Sequence, residues 1–297
     1  IITRVERIMQ RALSVLTEQL RSGEFEPETY EMAFTCADRY LRLSGRIDRL
    51  DVYEEDGSLY LRVIDYKSGT TSFDYAMLYY GLQLQLGVYL NAVTRMRDEE
   101  RIESEPANGK RPENKRIVPA GVFYYRLEDP IVEKGPGAED ERKKALRMDG
   151  VANQDTRVLG YLDRAFRTAD GGLAPSVKST VIPVETDRSG EITKRSKVAN
   201  TRGFYEIMEH VNRKMAAFSE EIMDGRTDVN PYRMGDKTAC DYCPYTSICS
   251  FDCRMEWDDY RYLKKLSGDD VWQRIRAEGK EREHGGSEMD GGAEKGN

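Results

Sequence analysis

The segment from Tyr40 to Lys67, YLRLSGRIDRLDVYEEDGSLYLRVIDYK, constrains the fold more than any other stretch. Two runs rich in aliphatic and aromatic residues flank Asp56-Gly57, a dipeptide suited to the positive φ values of a two-residue turn, so a β-hairpin is expected here. With those two residues as the loop, Glu55 pairs with Ser58, and counting outward in antiparallel register sets Asp48 opposite Asp65. Directly opposed residues have Cβ atoms about 4.5–5.5 Å apart, where two like charges repel. A divalent cation between them removes the repulsion. Without a metal, the two aspartates would instead pair across the hairpin with Arg46 and Lys67.

Strand alternation puts Lys67 on the face of Asp65 and turns the Tyr66 side chain away, leaving the Tyr66 carbonyl at the edge of the site. Two carboxylates, a carbonyl and waters suit Mg²⁺ or Mn²⁺, hard cations that keep several waters. Such a site suits phosphodiester hydrolysis: the metal polarises the phosphate and activates water, while a lysine orients the nucleophile or steadies the transition state. Asp48, Asp65 and Lys67 are the candidate catalytic residues, and Asp48, Asp65 and the Tyr66 carbonyl the candidate metal ligands.

Downstream, Ser72 can cap a helix, and Phe73, Met77, Leu82, Leu86 and Tyr89 recur at helical spacing, which predicts one helix over Phe73–Arg97 of about seven turns. Gln85 and Tyr89 lie four apart on it and share a face able to approach the metal site, whereas Gln83 points elsewhere. Asp98 to Arg116 has the composition of a solvated loop, and IVPAGVFYYRL, ending at Leu127, reads as a third strand. Helical patterns cover Ile1–Leu20, Glu139–Met148, Gln154–Thr168 and Thr201–Asp224. A charged helix follows a Cys-rich segment and runs to about Arg282; the Gly-rich polar tail cannot form a core and is expected to be disordered. The chain thus divides into a core at 1–228, a Cys-rich part with its helix at 229–282 and a tail at 283–297.

At 297 residues the chain can bury one substantial core. No run approaches eighteen apolar residues and 33% of the chain is charged, which excludes a helical membrane span. The chain opens on Ile1 and a charged amphipathic stretch rather than a signal peptide, which reads as an internal start in a longer polypeptide. Four of the five cysteines crowd into Cys240–Cys253, a pattern of metal ligation rather than of a secreted disulfide framework, which points to the cytoplasm. The net charge of −7 opposes phosphate binding, yet Arg46 and Arg49 flank the proposed site and are candidate DNA contacts. No phosphate-binding loop or dinucleotide fingerprint is present, so ATP would not bind by those routes.

GRIDR (Gly45–Arg49), VIDYKSG (Val63–Gly69) and LQLGVYL (Leu84–Leu90) resemble, in order and character, the consecutive motifs of RecB-like PD-(D/E)XK nucleases, and of the AddB-type helicase-nuclease subunits among them. The resemblance implies an α/β restriction-endonuclease-like core, a central mixed sheet flanked by helices, with a Cys-rich appendage. It implies that Asp48 and Asp65 bind metal, that Lys67 is the catalytic lysine, and that Gln85 and Tyr89 form a QxxxY motif lining the site. It further implies a DNA exonuclease that pairs with an AddA-like helicase subunit, processes double-strand ends for recombinational repair and cuts the 5′-terminated strand. Upstream, FEPETYEMAF (Phe25–Phe34) resembles the segment preceding GRIDR in AddB-type proteins, which implies an acidic residue approaching the site; Glu31 is the candidate for it and reads equally well as a surface glutamate, outside the catalytic set. A stand-alone Cas4-like exonuclease, a catalytically silent DNA-binding clamp and a zinc-stabilised interaction module are the competing readings.

Cys240, Cys243 and Cys249 have the spacing C-x2-C-x5-C, too compact for several disulfides and suited to thiolates converging on one metal. With Asn230-Pro231-Tyr232 upstream, this resembles the C-terminal iron-sulfur motif of AddB-type nucleases, in which a structural cluster takes its fourth cysteine from far upstream. Cys253 or Cys36 would have to replace it, so an incomplete cluster is expected here; zinc is the alternative occupant.

Overall fold

The structure, a computed structural model, describes residues 2–37, 40–103, 115–255 and 259–287. They form two compact units. Of the described residues, the first comprises 2–37, 42–73, 83–103 and 115–212, the second 40–41, 74–82, 213–255 and 259–287, which takes in most of the Cys-rich segment anticipated at 229–282.

The first unit opens with helix α1 (Ile2–Ser22) and strands β1 (Glu26–Ala37), β2 (Arg42–Glu55) and β3 (Ser58–Lys67). Asp56 and Gly57 turn the β2–β3 hairpin with φ of +49° and +69°, and the pairing runs from Glu55↔Ser58 to Arg49↔Ile64, the register expected. After a short helix α2 (Tyr75–Tyr79), which belongs to the second unit, and helix α3 (Gln85–Glu103), the chain returns as β4 (Arg116–Arg126), parallel to β3. A parallel return needs such a crossover. Helix α4 (Ala138–Ala145) leads to β5 (Asp149–Asn153), antiparallel to β4, and helix α5 (Thr156–Leu162) precedes β6 (Val198–Ala199) and helix α6 (Thr201–Met223). The strands form one mixed sheet in the order β1-β2-β3-β4-β5-β6.

The central strands β3 and β4 are buried on both faces, with Leu61, Val63, Ile64, Phe123 and Tyr125 inaccessible. Their near-continuous apolar sequences reflect that, since a strand covered on both sides has no polar face to alternate. One face carries a cluster that includes Ala12 of α1, Ile64, Phe123 and Tyr125, and the Tyr125 hydroxyl donates to the Ala12 carbonyl at 3.0 Å. α3 packs on β3 and β4 with Leu86, Leu90, Ala92 and Val93 buried.

Four expectations are corrected. β1 was not foreseen as a strand; it pairs with β2 along most of its length. The single helix over Phe73–Arg97 is two. Asp74, not Ser72, caps α2 by accepting from the Ala76 and Met77 amides, and Gly81 at φ +83° ends that turn before α3 begins at Gln85. α3 runs on to Glu103, into the supposed loop from Asp98, whose residues 104–114 lie outside the described residues. The helix over Gln154–Thr168 stops at Leu162, because Asp163 is extended and its carboxylate accepts from Ser179.

In the second unit β7 (Tyr232–Met234) lies between β8 (Lys237–Thr238) and β9 (Arg261–Tyr262), with helix α7 (Thr246–Cys249) before β9. Helix α8 (Gly268–Ser287) packs on α2, Trp272 against Tyr75 and Glu278 accepting from the Tyr79 hydroxyl at 2.7 Å. α8 extends past the expected end near Arg282, and residues 288–297 of the supposed tail lie outside the described residues. No described helix is long and apolar enough to cross a membrane.

Candidate active site

The site lies where the β2–β3 ladder stops. The strand pairing ends at Arg49↔Ile64, one step short of Asp48 and Asp65. There the Asp48 carboxylate itself takes the next amide, accepting from the Tyr66 N–H at 2.7 Å. That bond fixes the Asp48 carboxylate on β3 beside Asp65.

Asp65 is 1% exposed, and apart from the Lys67 ammonium, 2.5 Å from Oδ2, its carboxylate has no partner among the described residues. Burial raises the Asp65 pKa; Lys67 offsets part of this, and the charge of Asp48 adds to it. A buried carboxylate that remains costly to ionise beside a lysine favours an additional cation. The donors present, two carboxylates with a strand-end carbonyl nearby, are the hard oxygens that Mg²⁺ or Mn²⁺ prefers.

Lys67 donates to Gln85 Oε1 at 2.7 Å, and Gln85 Nε2 donates to the Tyr89 hydroxyl at 2.7 Å. Only a side chain that both accepts and donates can hold this chain of hydrogen bonds. Tyr89 is held in turn by the edge of Phe34 from β1, ring centroids 5.7 Å apart, and burial is the main cause of its raised pKa, with Asp65, Asp48 and Glu31 adding to it. Gln85 and Tyr89 thus share a face beside Lys67, and Gln83 turns away to the Ser72 carbonyl.

Arg49 must be corrected as a DNA contact. It is 1% exposed and chelates Asp51, with Nε and Nη2 at 2.5 and 2.7 Å, while Arg62 holds the same carboxylate from β3 at 2.6 Å. The alternation that faces Asp48 toward Asp65 turns Arg49 into the opposite side of the sheet, where its third nitrogen donates to the Tyr66 hydroxyl. Arg46 is exposed on β2, opposite Ala33.

Tyr124 gains a place that sequence reasoning did not give it, and Glu31 one that sequence reasoning offered only beside a surface position. Glu31 lies between Tyr30, paired with Arg49, and Met32, paired with Ile47, so β1 sets it across from Asp48, with a left-handed φ of +49°. Tyr124 of β4 pairs with Asp65, and the Lys67 ammonium lies 5.3 Å from its ring centroid. The non-local pairing of β1 and β4 determines both positions, and no motif announces Tyr124.

The cysteines are all unpaired; Cys240 and Cys243 are half-buried and Cys249 and Cys253 exposed. Among the described residues no three His, Cys, Asp or Glu side chains converge as a metal-holding group, so Cys240, Cys243 and Cys249 are not drawn together as ligands. The Cys243 amide bonds to the Cys240 carbonyl at 3.3 Å, and both Cys240 and Cys253 act electrostatically on the Tyr260 hydroxyl.

A family model for the PD-(D/E)XK nuclease superfamily matches residues 1–250. The chain belongs to this superfamily. The PD-(D/E)XK chain is also 49% identical over 99% of its length to the B subunit of the ATP-dependent helicase/deoxyribonuclease of Lachnoclostridium phytofermentans, covering 25% of that protein. It is 32% identical over 93% of its length to the proteins of the same name from Thermoanaerobacter sp. and Clostridium acetobutylicum, covering 24% and 23% of them. The chain thus spans about a quarter of the length of these relatives.

Proposed function

We propose that this chain is the DNA-cutting module of a helicase-nuclease subunit, a Mg²⁺- or Mn²⁺-dependent exonuclease that processes double-strand ends for recombinational repair. The observation that carries the reading is the position of Lys67, held between Asp65 and Gln85 beside the Asp48 carboxylate. Asp48, Asp65 and the Tyr66 carbonyl would hold the cation, which when bound supplies Lewis acidity at the phosphate. Lys67 neutralises charge that develops on the phosphoryl oxygens, and Gln85 keeps the ammonium oriented for it. Arg46 contacts the phosphate backbone from β2.

The deoxyribonuclease named among the relatives supports DNA as the substrate, and their helicase designation supports an AddA-like motor as the partner. The protein would act in the cytoplasm. In the intact subunit Cys240, Cys243 and Cys249 would serve an iron-sulfur cluster completed from elsewhere.

The test is degradation of end-labelled single-stranded DNA with Mg²⁺ or Mn²⁺ by this chain and by its Asp65→Ala and Lys67→Ala variants. Cutting lost in both variants supports the assignment. If neither this chain nor the full subunit with its helicase partner responds to the two substitutions, the assignment is wrong.

A further inference from the structure

Tyr124 stands in the middle of the site, yet neither metal binding nor the aiming of Lys67 gives it a task. β4 sets it beside Asp65 of β3 and opposite Asp149 of β5, so Asp65, Tyr124 and Asp149 form one row across three strands. It is 2% exposed. A buried tyrosine ordinarily commits its hydroxyl to a protein partner. Its neighbour Tyr125 does so at Ala12, and Tyr89 does so at Gln85. The Tyr124 hydroxyl has no hydrogen-bond partner among the described residues.

The carboxylates on either side do not take it. Asp149 is already occupied, accepting from the Phe73 amide at 2.8 Å and from the Lys197 ammonium at 2.7 Å, and Asp65 faces Lys67. A tyrosine is longer than an aspartate, so its hydroxyl reaches past both. The groups that act on it electrostatically are Asp65, Tyr89 and Asp149, which brackets its place in the site. The ring is fixed below the Lys67 ammonium, which makes the hydroxyl a preorganised donor beside that cation.

A phosphodiester offers only acceptors, and a site floored with carboxylates must meet it with donors. Lys67 divides its protons among Asp65, Gln85 and whatever binds; Tyr124 has a proton with no other claimant. We propose that the Tyr124 hydroxyl is a substrate contact, donating a hydrogen bond to a non-bridging oxygen of the DNA phosphate that lies beside Asp65 and Lys67. The proposal rests on the nuclease reading and adds to it a residue that binds the anion.

Tyr124→Phe keeps the ring, its packing and its contact with Lys67, and removes only the donor. Cleavage of an end-labelled single-stranded oligonucleotide in Mg²⁺ is expected to fall about 10- to 100-fold, the weight of a hydrogen bond to a charged group, and affinity for the same oligonucleotide in Ca²⁺ to fall with it. The Mn²⁺-induced rise in Tm stays at the wild-type value, because the carboxylates are untouched. A methylphosphonate at the reacting linkage, in the configuration that lacks the contacted oxygen, costs Tyr124→Phe less than it costs the wild type. Wild-type rate and affinity in Tyr124→Phe overturn the proposal, and so does a rate loss accompanied by a lost Mn²⁺ response, which would place the effect at the metal. Failure of the nuclease reading itself looks different: Asp65→Asn would then leave cleavage unchanged.

Discussion

Gln85 accepts a hydrogen bond from the Lys67 ammonium at 2.7 Å while Lys67 keeps its ion pair with Asp65 at 2.5 Å. The lysine is therefore aimed by a helix that begins at Gln85 itself, and the aim depends on one amide. Gln85→Ala is expected to lower kcat about 10- to 100-fold through a misplaced ammonium, and Lys67→Ala about 10²- to 10³-fold through its loss. The Mn²⁺-induced rise in Tm should survive in Gln85→Ala. A variant that instead loses metal stabilisation would assign Gln85 to the ligand set.

Burial of Asp65 couples stability to pH. Its folded pKa is raised above the ordinary value for an aspartate, so the folded state holds that proton more tightly than the unfolded state does. The metal-free protein loses stability as pH rises from the unfolded value through the raised folded value, and the loss persists at neutral pH. Asp65→Asn should therefore be more stable than the wild type near pH 7 without metal and indistinguishable from it below about pH 4. Mn²⁺ at a hundredfold excess over its Kd should raise the wild-type Tm by about 5–10 °C and leave Asp65→Asn unmoved. Thermal scans across pH, with and without Mn²⁺, read both effects.

The juxtaposition of Asp48 and Asp65 was legible because it depends on local rules alone. Asp56-Gly57 determines the loop, the loop sets the register, and the register brings Asp48 to Asp65 without reference to the rest of the fold. Gln85 and Tyr89 were legible for the same reason, since helical spacing is local even though the cap at Asp74 and the turn at Gly81 move the helix boundary. Arg49 was misread because a buried ion cluster and a solvated basic strand are written in the same letters; Arg62 and Asp51 lie on the same face, where the Phe25 ring stacks on the Arg62 guanidinium. Glu31 and Tyr124 come to the site through the pairings β1–β2 and β3–β4, and a parallel pairing across a long crossover has no local signature.

The misread arginine yields a contrast between neighbours on one strand. Arg46→Gln removes an exposed charge and should leave Tm unchanged, since exposed charges contribute little to stability. It should weaken binding of single-stranded DNA and flatten the log K against log salt line by about 0.7 if one phosphate contact is lost. Fluorescence titrations from low to moderate salt give the slope. A slope equal to that of the wild type would remove Arg46 from the DNA path.

Asp51 gives the opposite outcome. It is fully buried and accepts from both Arg49 and Arg62, which are 1% and 2% exposed, so its removal leaves two guanidiniums in the interior without their counter-ion. Breaking such a cluster from the acidic side costs about 3–5 kcal/mol, much more than the lost contacts alone, because the remaining charges cannot be rehydrated. Asp51→Ala should therefore lower the urea midpoint sharply, and the same damage should reach the site, since Arg49 also donates to the hydroxyl of Tyr66, whose amide holds Asp48. A triple replacement of Arg49, Asp51 and Arg62 by apolar residues of similar volume should recover much of the stability, because it removes the uncompensated charges together. Recovery of Tm without recovery of Mn²⁺ binding would show that the cluster also steadies the strands carrying Asp48 and Asp65; recovery of both would confine its role to filling the core.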